Sequence, residues 1–202
     1  HGERFIITTN SDGAEDFRIV EAPVADPAMT NWREIVPHRS GRLIIETVVT
    51  QHHITRLERE DSLPRIVVRR IADGAEHPIA FAEEAFSLGI AGGYEFDTSN
   101  LRFTYSSMTT PVETYDYDMA TKTRVLRKRQ EIPSGHNPDD YVTRRLFAVA
   151  RDGERVPVSL LSRKSPPLDR SAPLYLYGYG AYGISMPASF STGRLSLVDR
   201  GF

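Results

Sequence analysis

Short runs of β-branched, aromatic and other apolar residues alternate with clusters of turn-forming residues between Phe5 and Gln130. The runs begin at Phe5, Phe17, Trp32, Leu43, His53, Arg65, Leu101, Glu113 and Thr123. In two of them, His53–Arg59 and Arg65–Ile71, apolar and charged residues alternate, as they do in antiparallel strands with one buried face. The pattern therefore predicts a series of antiparallel strands.

These strands are compatible with two architectures. Four-stranded antiparallel units in series are typical of β-propeller blades, and similar strand openings recur at Phe5, Leu43 and Leu101. The spacing of these openings is uneven, and a β-sandwich would produce much the same series of strands. The pattern alone leaves both architectures open.

The pattern changes near residue 133, where a run of Pro, Gly, Asn and Asp indicates a linker. Three more strands are predicted after it, at Arg145–Ala150, Val156–Leu161 and Leu174–Tyr177. The turn that contains Asp152 and Gly153 joins the first two as a hairpin. A glycine-rich segment then leads to a predicted short helix, Ser191–Leu197, with Gly201 as its stop.

Composition excludes several classes of function. The chain has 202 residues, a formal net charge of −2 and no cysteine, so disulfides and thiolate chemistry are excluded. The mild charge predicts neither nucleic acid nor a membrane surface as partner. No apolar stretch approaches the roughly 18 residues that span a bilayer. The lack of cysteine fits a reducing compartment, and we expect a cytoplasmic location.

Two local clusters could indicate a metal site and a nucleic-acid site, but in each case the residues favour a purely structural role. His52 and His53 are neighbours on a predicted strand, so their side chains point to opposite faces and converge poorly on a metal ion. No third ligand is apparent, and we expect no metal and no cofactor. The basic run Lys122–Arg129 has no interleaved aromatic residues for base stacking. It is predicted to be a solvated outer strand of a blade.

The glycine-rich segment carries the strongest chemical signal. An apolar strand that ends in Gly178-Tyr179-Gly180 would let the backbone bend and would present the tyrosine at the carboxyl end of that strand. A phenolic O–H there can donate to developing negative charge. The alternative is a turn rich in Gly and Tyr that packs over a core, and the residues themselves leave both interpretations open.

The segment Leu176–Ser185 (LYGYGAYGIS), with the residues that follow it to Phe202, resembles the prolyl oligopeptidase family, and within it the oligopeptidase B (protease II) branch. Upstream, Ala150–Gly153, Val156–Leu160 and the stretch 101–111 resemble the same family. The resemblance implies a mainly β chain with the C-terminal blades of a β-propeller followed by the first strands of an α/β-hydrolase domain. The expected parts are a partial propeller at 1–132, a linker at 133–141 and a truncated peptidase domain at 142–202.

The resemblance also implies a serine oligopeptidase that cleaves short peptides after Lys or Arg. In that family the tyrosine at the position of Tyr179 helps to form the oxyanion hole, and the aromatic residue at the position of Tyr182 lies beside the pocket for the residue before the scissile bond. The oligopeptidase B branch carries two acidic residues just after this loop, where this chain has Pro187 and Ser189. A preference for two basic residues therefore lacks that support.

No catalytic triad can be assembled from the sequence. The nearest match to the nucleophile motif G-x-S-x-G is Gly183–Pro187, which ends in proline and follows the candidate loop at once. The last histidine is His136, so Ser185 cannot begin the order Ser, Asp, His. Both chain ends are abrupt, and we expect an inactive fragment whose triad lies beyond Phe202.

Two other functions stay open. One is a non-enzymatic β-propeller module that binds a partner, which residues 1–130 alone would allow. The other is an acyl-peptide hydrolase or esterase of the same superfold. In either case, sheets without neighbours on both sides leave unpaired edges, so we also expect self-association through exposed strand edges.

Overall fold

The computed structural model describes residues 1–93, 95–165 and 171–202, and its fold is mainly β, as predicted. The strands are β1 Arg4–Thr9, β2 Arg18–Pro23, β3 Arg33–Val36, β4 Arg42–Val49, β5 His53–Glu60, β6 Leu63–Arg70, β7 Glu76–Pro78, β8 Phe86–Ala91, β9 Asn100–Ser107, β10 Glu113–Asp118, β11 Thr123–Arg129, β12 Tyr141–Val149 and β13 Arg155–Arg163. A helix, α1, runs over Thr192–Asp199, and single 3-10 turns lie at Met29–Asn31 and Pro138–Asp140.

The described strands form four sheets, with orders β1-β2-β3, β4-β5-β6-β7, β11-β10-β9-β8 and β12-β13. In each sheet the neighbours in space are neighbours in sequence, and the two four-stranded sheets have the strand order of propeller blades. The chain divides into two compact units: one comprises 1–80, 89–103 and 116–125, and the other 81–88, 104–115 and 126–202. The domain boundaries expected from the sequence stay a prediction.

The first unit combines an apolar core with a buried ion pair. Ile19, Val36, Ile44 and Ile54 form the core cluster. The Arg56 and Glu58 side chains are 3% and 2% exposed, and Arg56 Nε donates to Glu58 Oε1 over 2.8 Å. Arg56 also donates to Glu76 on β7, at 2.9 and 3.0 Å. These bonds replace part of the water that the two charges lose, and Arg65 Nε, 3.4 Å from Glu58 Oε2, adds positive charge beside the oxygen that accepts no hydrogen bond. Removing one member of the pair would leave the other as an uncompensated buried charge.

Two histidines of the first unit lie on one face of the sheet β4–β7. His53 on β5 is buried, and its Nδ1 has no hydrogen-bond partner among the described residues. His77 on β7 places Nε2 2.9 Å from the Tyr117 hydroxyl. Burial lowers the pKa of both histidines below the ordinary value of 6.5, and nearby positive charge lowers it further. Both imidazoles are therefore held in the neutral form.

In the second unit, α1 packs on the hairpin β12–β13. Leu161 of β13 contacts two apolar clusters, one of Ala85, Met108 and Ala188 and one of Tyr141, Leu195 and Val198. The Ser191 side chain caps the helix by accepting from the Arg194 amide, and Gly201 ends it with φ +98°. The predicted helix and its stop are confirmed. The Asp-Gly hairpin is confirmed too, with Gly153 at φ +90°.

A carboxylate clamps the turn that follows β9. Glu83 accepts hydrogen bonds from the hydroxyls of Tyr105 (2.8 Å), Thr109 (2.9 Å) and Thr110 (2.8 Å). The Phe81 ring stacks on Tyr105 with 5.1 Å between centroids. Burial, and then the bond to Glu83, raise the pKa of the Tyr105 hydroxyl, which keeps it protonated as a donor. The clamp fixes the residues between β9 and β10.

The basic run forms β11, at one edge of its sheet, with all seven residues exposed, as predicted for an outer strand. The sequence pattern missed β7, which has three residues, and β8, which is interrupted by Gly89. None of the helices in the described residues is long and apolar enough to cross a membrane.

Acidification should destabilise the first unit. Because the folded-state pKa of His53 and His77 is depressed, the stability from keeping them neutral is present above pH 6.5 and is lost as the pH falls below it. Urea unfolding between about pH 8 and pH 5 should show this loss. The double variant His53→Gln/His77→Gln should flatten the dependence. His52→Gln removes one of the nearby charges but leaves the burial, which is the largest cause, and should retain most of it. An unchanged slope in the double variant would contradict the assignment.

Removing the Glu83 carboxylate should loosen the turn after β9. Glu83→Ala leaves three hydroxyl donors without their acceptor, and we expect a loss of about 1–3 kcal/mol in the free energy of unfolding. The matched control is Glu95→Gln at an exposed glutamate, which should change it by less than about 0.5 kcal/mol. Denaturant titration measures both. Equal stability of the two variants would show that the clamp contributes nothing.

Candidate functional site

The candidate residues lie in a segment without regular secondary structure. Between 171 and 190 the structure has no helix and no strand, so the predicted strand Leu174–Tyr177 is wrong. Leu174 and Leu176 are 73% and 80% exposed. The physical reason is the lack of a neighbour: no described strand pairs with this segment, and an unpaired extended backbone is hydrated instead.

Tyr179 stands between two glycines with an open environment. Its side chain is 47% exposed, and its hydroxyl has no hydrogen-bond partner among the described residues. A Cβ added at Gly178 or Gly180 would meet no atom within 4 Å, and neither glycine has positive φ. The bend expected at Gly178–Gly180 is therefore not formed there. The structure therefore shows an exposed phenolic O–H donor flanked by two residues without side chains.

The bend lies three residues later. Tyr182 and Gly183 have φ of +57° and +68°, and the Ile184 amide donates to the Ala181 carbonyl over 3.1 Å. Two successive residues with positive φ are typical of a type I′ turn. For tyrosine this left-handed conformation costs about 1–2 kcal/mol, and the side chain is 93% exposed. The structure places Tyr179 and Tyr182 on one segment and describes no contact between them.

The segment is held at both ends. Before it, β13 pairs with β12 up to Arg163, and the Lys164 amide donates to the Asp140 carbonyl over 2.9 Å. After it, the Phe190 amide donates to Ser106 Oγ over 2.9 Å. At the C-terminal end of α1, Asp199 accepts from the Tyr141 hydroxyl (2.7 Å) and from Arg163 (2.6 Å). The candidate residues thus lie between two well-packed anchors.

The positions that depart from the oligopeptidase B pattern supply no carboxylate. Pro187 is exposed, and the Ser189 carbonyl accepts a hydrogen bond from the Arg194 guanidinium. Ala188, between them, is buried in an apolar cluster. Ser185 has no histidine or carboxylate partner among the described residues. No group of three or more His, Asp or Glu within them could hold a metal ion.

Sequence reasoning missed an open cleft in the second unit. Its volume is about 460 Å³, and its wall includes Glu113, Tyr115, Arg129 and His136. Glu113 is buried and accepts from the Tyr115 hydroxyl (2.5 Å) and from Arg129 Nε (2.7 Å). The lining residues all lie between Tyr105 and Pro138 but carry no common motif, so no sequence signal marked the cleft. Tyr179 and Tyr182 do not line it.

Comparison with known proteins adds evidence that does not depend on this geometry. Residues 1–130 match the family model for the prolyl oligopeptidase N-terminal β-propeller domain. The dipeptidyl aminopeptidase BI of Pseudoxanthomonas mexicana is 38% identical over 201 residues, which are 99% of this chain and 28% of that protein. The chain thus spans less than a third of the length of that relative.

Solved structures of the same family are also similar to this chain. Oligopeptidase B from Trypanosoma brucei, in a closed form with covalently bound antipain, aligns with a TM-score of 0.88 and 31% identity over 98% of this chain and 29% of that one. Oligopeptidase B from Leishmania major aligns with a TM-score of 0.87 and 28% identity over all of this chain and 29% of that one. With the propeller-domain match over residues 1–130, these similarities confirm the resemblance in residues 176–202: the chain belongs to the prolyl oligopeptidase family.

Proposed function

We propose that this chain is part of a serine oligopeptidase that hydrolyses short peptides. The observation that carries the proposal is the family match over residues 1–130, followed along the chain by the segment that contains Tyr179. The relatives it resembles are peptidases by name. Residues 1–132 would form propeller blades that restrict access to short, unfolded peptides, and residues 142–202 would begin the α/β-hydrolase domain.

The role we assign to Tyr179 is that of an oxyanion donor. Its hydroxyl is exposed and has no described partner to compete for the proton, and the flanking glycines leave the backbone open to approach. A donor of this kind stabilises the negative charge that develops when a serine attacks a peptide carbonyl. Tyr182, on the turn that follows, would lie beside the pocket for the residue before the scissile bond.

The nucleophile and its partners would lie outside this chain. A hydrolase of this fold needs G-x-S-x-G followed by Asp and then His, and this sequence has neither the motif nor a histidine after His136. We therefore expect the 202-residue chain by itself to lack peptidase activity. The reading frame beyond the codon for Phe202 should encode the motif. A frame without it would favour the non-enzymatic binding module.

Two substrate preferences compete. The similarity to oligopeptidase B supports cleavage after Lys or Arg, with acidic pocket residues supplied from outside this chain. The second candidate is removal of dipeptides from free amino termini, supported by the 38% identity to a dipeptidyl aminopeptidase. Paired peptide substrates with free and acetylated amino termini distinguish them, because only the second preference requires the free amine.

Substituting Tyr179 tests the proposed chemistry. In a longer protein that carries this chain and an active triad, Tyr179→Phe should lower kcat about 100- to 1,000-fold, since one oxyanion donor is lost, with little change in KM. Tyr177→Phe removes an exposed hydroxyl two residues earlier and is the matched control. Hydrolysis of a chromogenic peptide measures both. Equal kcat values for the two variants would exclude Tyr179 from the oxyanion hole.

We also propose that the isolated chain associates with itself. The two strands of the hairpin β12–β13 each have one edge that pairs with no described strand, and the apolar segment from Leu174 to Ile184 is largely exposed. Light scattering should show a mass that rises with concentration. Replacing Leu174 and Leu176 with Lys should reduce that rise. A monomer at all concentrations would contradict the proposal.

A further inference from the structure

The end of β9 is bonded directly to the residues that follow the candidate segment. Ser106 is 5% exposed, and its Oγ accepts from the Phe190 amide (2.9 Å) while donating to the Thr110 carbonyl (3.1 Å). One hydroxyl therefore serves two backbone groups, and its proton and one lone pair are both in use. The bond joins positions 84 residues apart in sequence.

A second set of contacts fixes the same place. The Phe190 ring meets His136 edge-on at 5.0 Å, and His136 stacks on Tyr141 at 5.5 Å. His136 Nε2 lies 2.6 Å from the Thr109 carbonyl, in the turn that Glu83 clamps. Phe190 is thus held through its backbone, by Ser106, and through its ring, by His136. Both Ser106 and His136 are in turn hydrogen-bonded to the turn after β9.

The segment that carries Tyr179 has no regular secondary structure to fix its backbone. Apart from the turn at 181–184, the described backbone hydrogen bonds from 171 to 189 give it no ladder and no helix. Its position therefore depends on its anchors. Those after it are Ala188 in its apolar cluster, the Ser189 carbonyl on Arg194 and the Phe190 amide on Ser106, and the last of these is the hydrogen bond to β9. Oxyanion stabilisation needs the donor within a few tenths of an ångström of its place, and a displacement of about 1 Å can cost about 100-fold in rate.

We propose that Ser106, in the propeller-family part of the chain, is a positioning residue for the candidate oxyanion segment and acts through the Phe190 amide. The inference rests on the proposed function for its catalytic consequence, whereas its structural content concerns this chain alone. It couples the end of a propeller strand to the placement of Tyr179. The substrate does not touch Ser106.

Amide exchange tests the contact in the 202-residue chain. Ser106→Ala should speed exchange of the Phe190 amide about 3- to 10-fold, the ratio expected for one net hydrogen bond. Ser106→Thr keeps the hydroxyl and should restore slow exchange, and Ser99→Ala, a hydroxyl deletion elsewhere, should have no effect. If Ser106→Ala does not fold, Ser106→Cys gives the same comparison with a weaker acceptor. Unchanged exchange would overturn the inference.

Spin-label distances test the positioning. The chain has no cysteine, so nitroxides can be attached cleanly at Tyr182→Cys and Lys128→Cys, two exposed positions of the same unit. We expect the distance distribution to be narrower in the Ser106 and Ser106→Thr proteins than in Ser106→Ala. Equal widths in all three would overturn the positioning role.

Activity then separates this inference from the proposed function. In a longer active protein, Ser106→Ala should lower kcat per titrated active site about 10- to 100-fold with KM little changed, and Ser106→Thr should recover it. A merely structural role would reduce the number of active sites and leave kcat per site unchanged, which would overturn the inference. If the exchange and distance effects appear and Tyr179→Phe is fully active, the oxyanion assignment fails and the positioning of the segment by Ser106 stands.

Discussion

A β-strand persists only where a neighbour takes up its backbone hydrogen bonds, and most of this structure follows from that constraint. The strands β4–β7 satisfy one another in sequence order, and so do β8–β11. The segment at 174–177 has equally strand-like residues but no described neighbour, and it stays irregular. Local propensity is the same in both cases, and pairing decides the outcome.

Pairing also explains which parts the sequence could predict. The Asp152-Gly153 hairpin and the Ser191-capped helix depend on contacts a few residues apart, so their signals are local and both were found. The strands β7, with three residues, and β8, with an internal glycine, have weak local signals and form because longer strands pair with them. The strand at Leu174–Tyr177 was predicted wrongly because the local residues favour a strand, whereas no described strand lies beside them to pair with.

The candidate site divides in the same way. Tyr179 and Tyr182 could be found from the glycine-rich motif, because the motif lies within a few consecutive residues. The left-handed backbone at Tyr182 could not, since tyrosine rarely adopts it. The Glu83 clamp and the bond between Ser106 and Phe190 join residues 22 to 84 positions apart, and no local pattern marks them. Polar contacts between residues far apart in sequence could therefore not be predicted.

At the two glycines beside Tyr179, a requirement for glycine in folding can be separated from a requirement for glycine in function. Nothing described in this chain comes within 4 Å of where a Cβ at Gly178 or Gly180 would lie, and neither backbone needs a left-handed conformation. Folding of the chain therefore places no demand on glycine at either position. A mutational scan of this chain scored on folding alone should accept alanine at both positions, so any requirement for glycine in a longer protein would come from a neighbour outside this chain, either further polypeptide or a bound molecule.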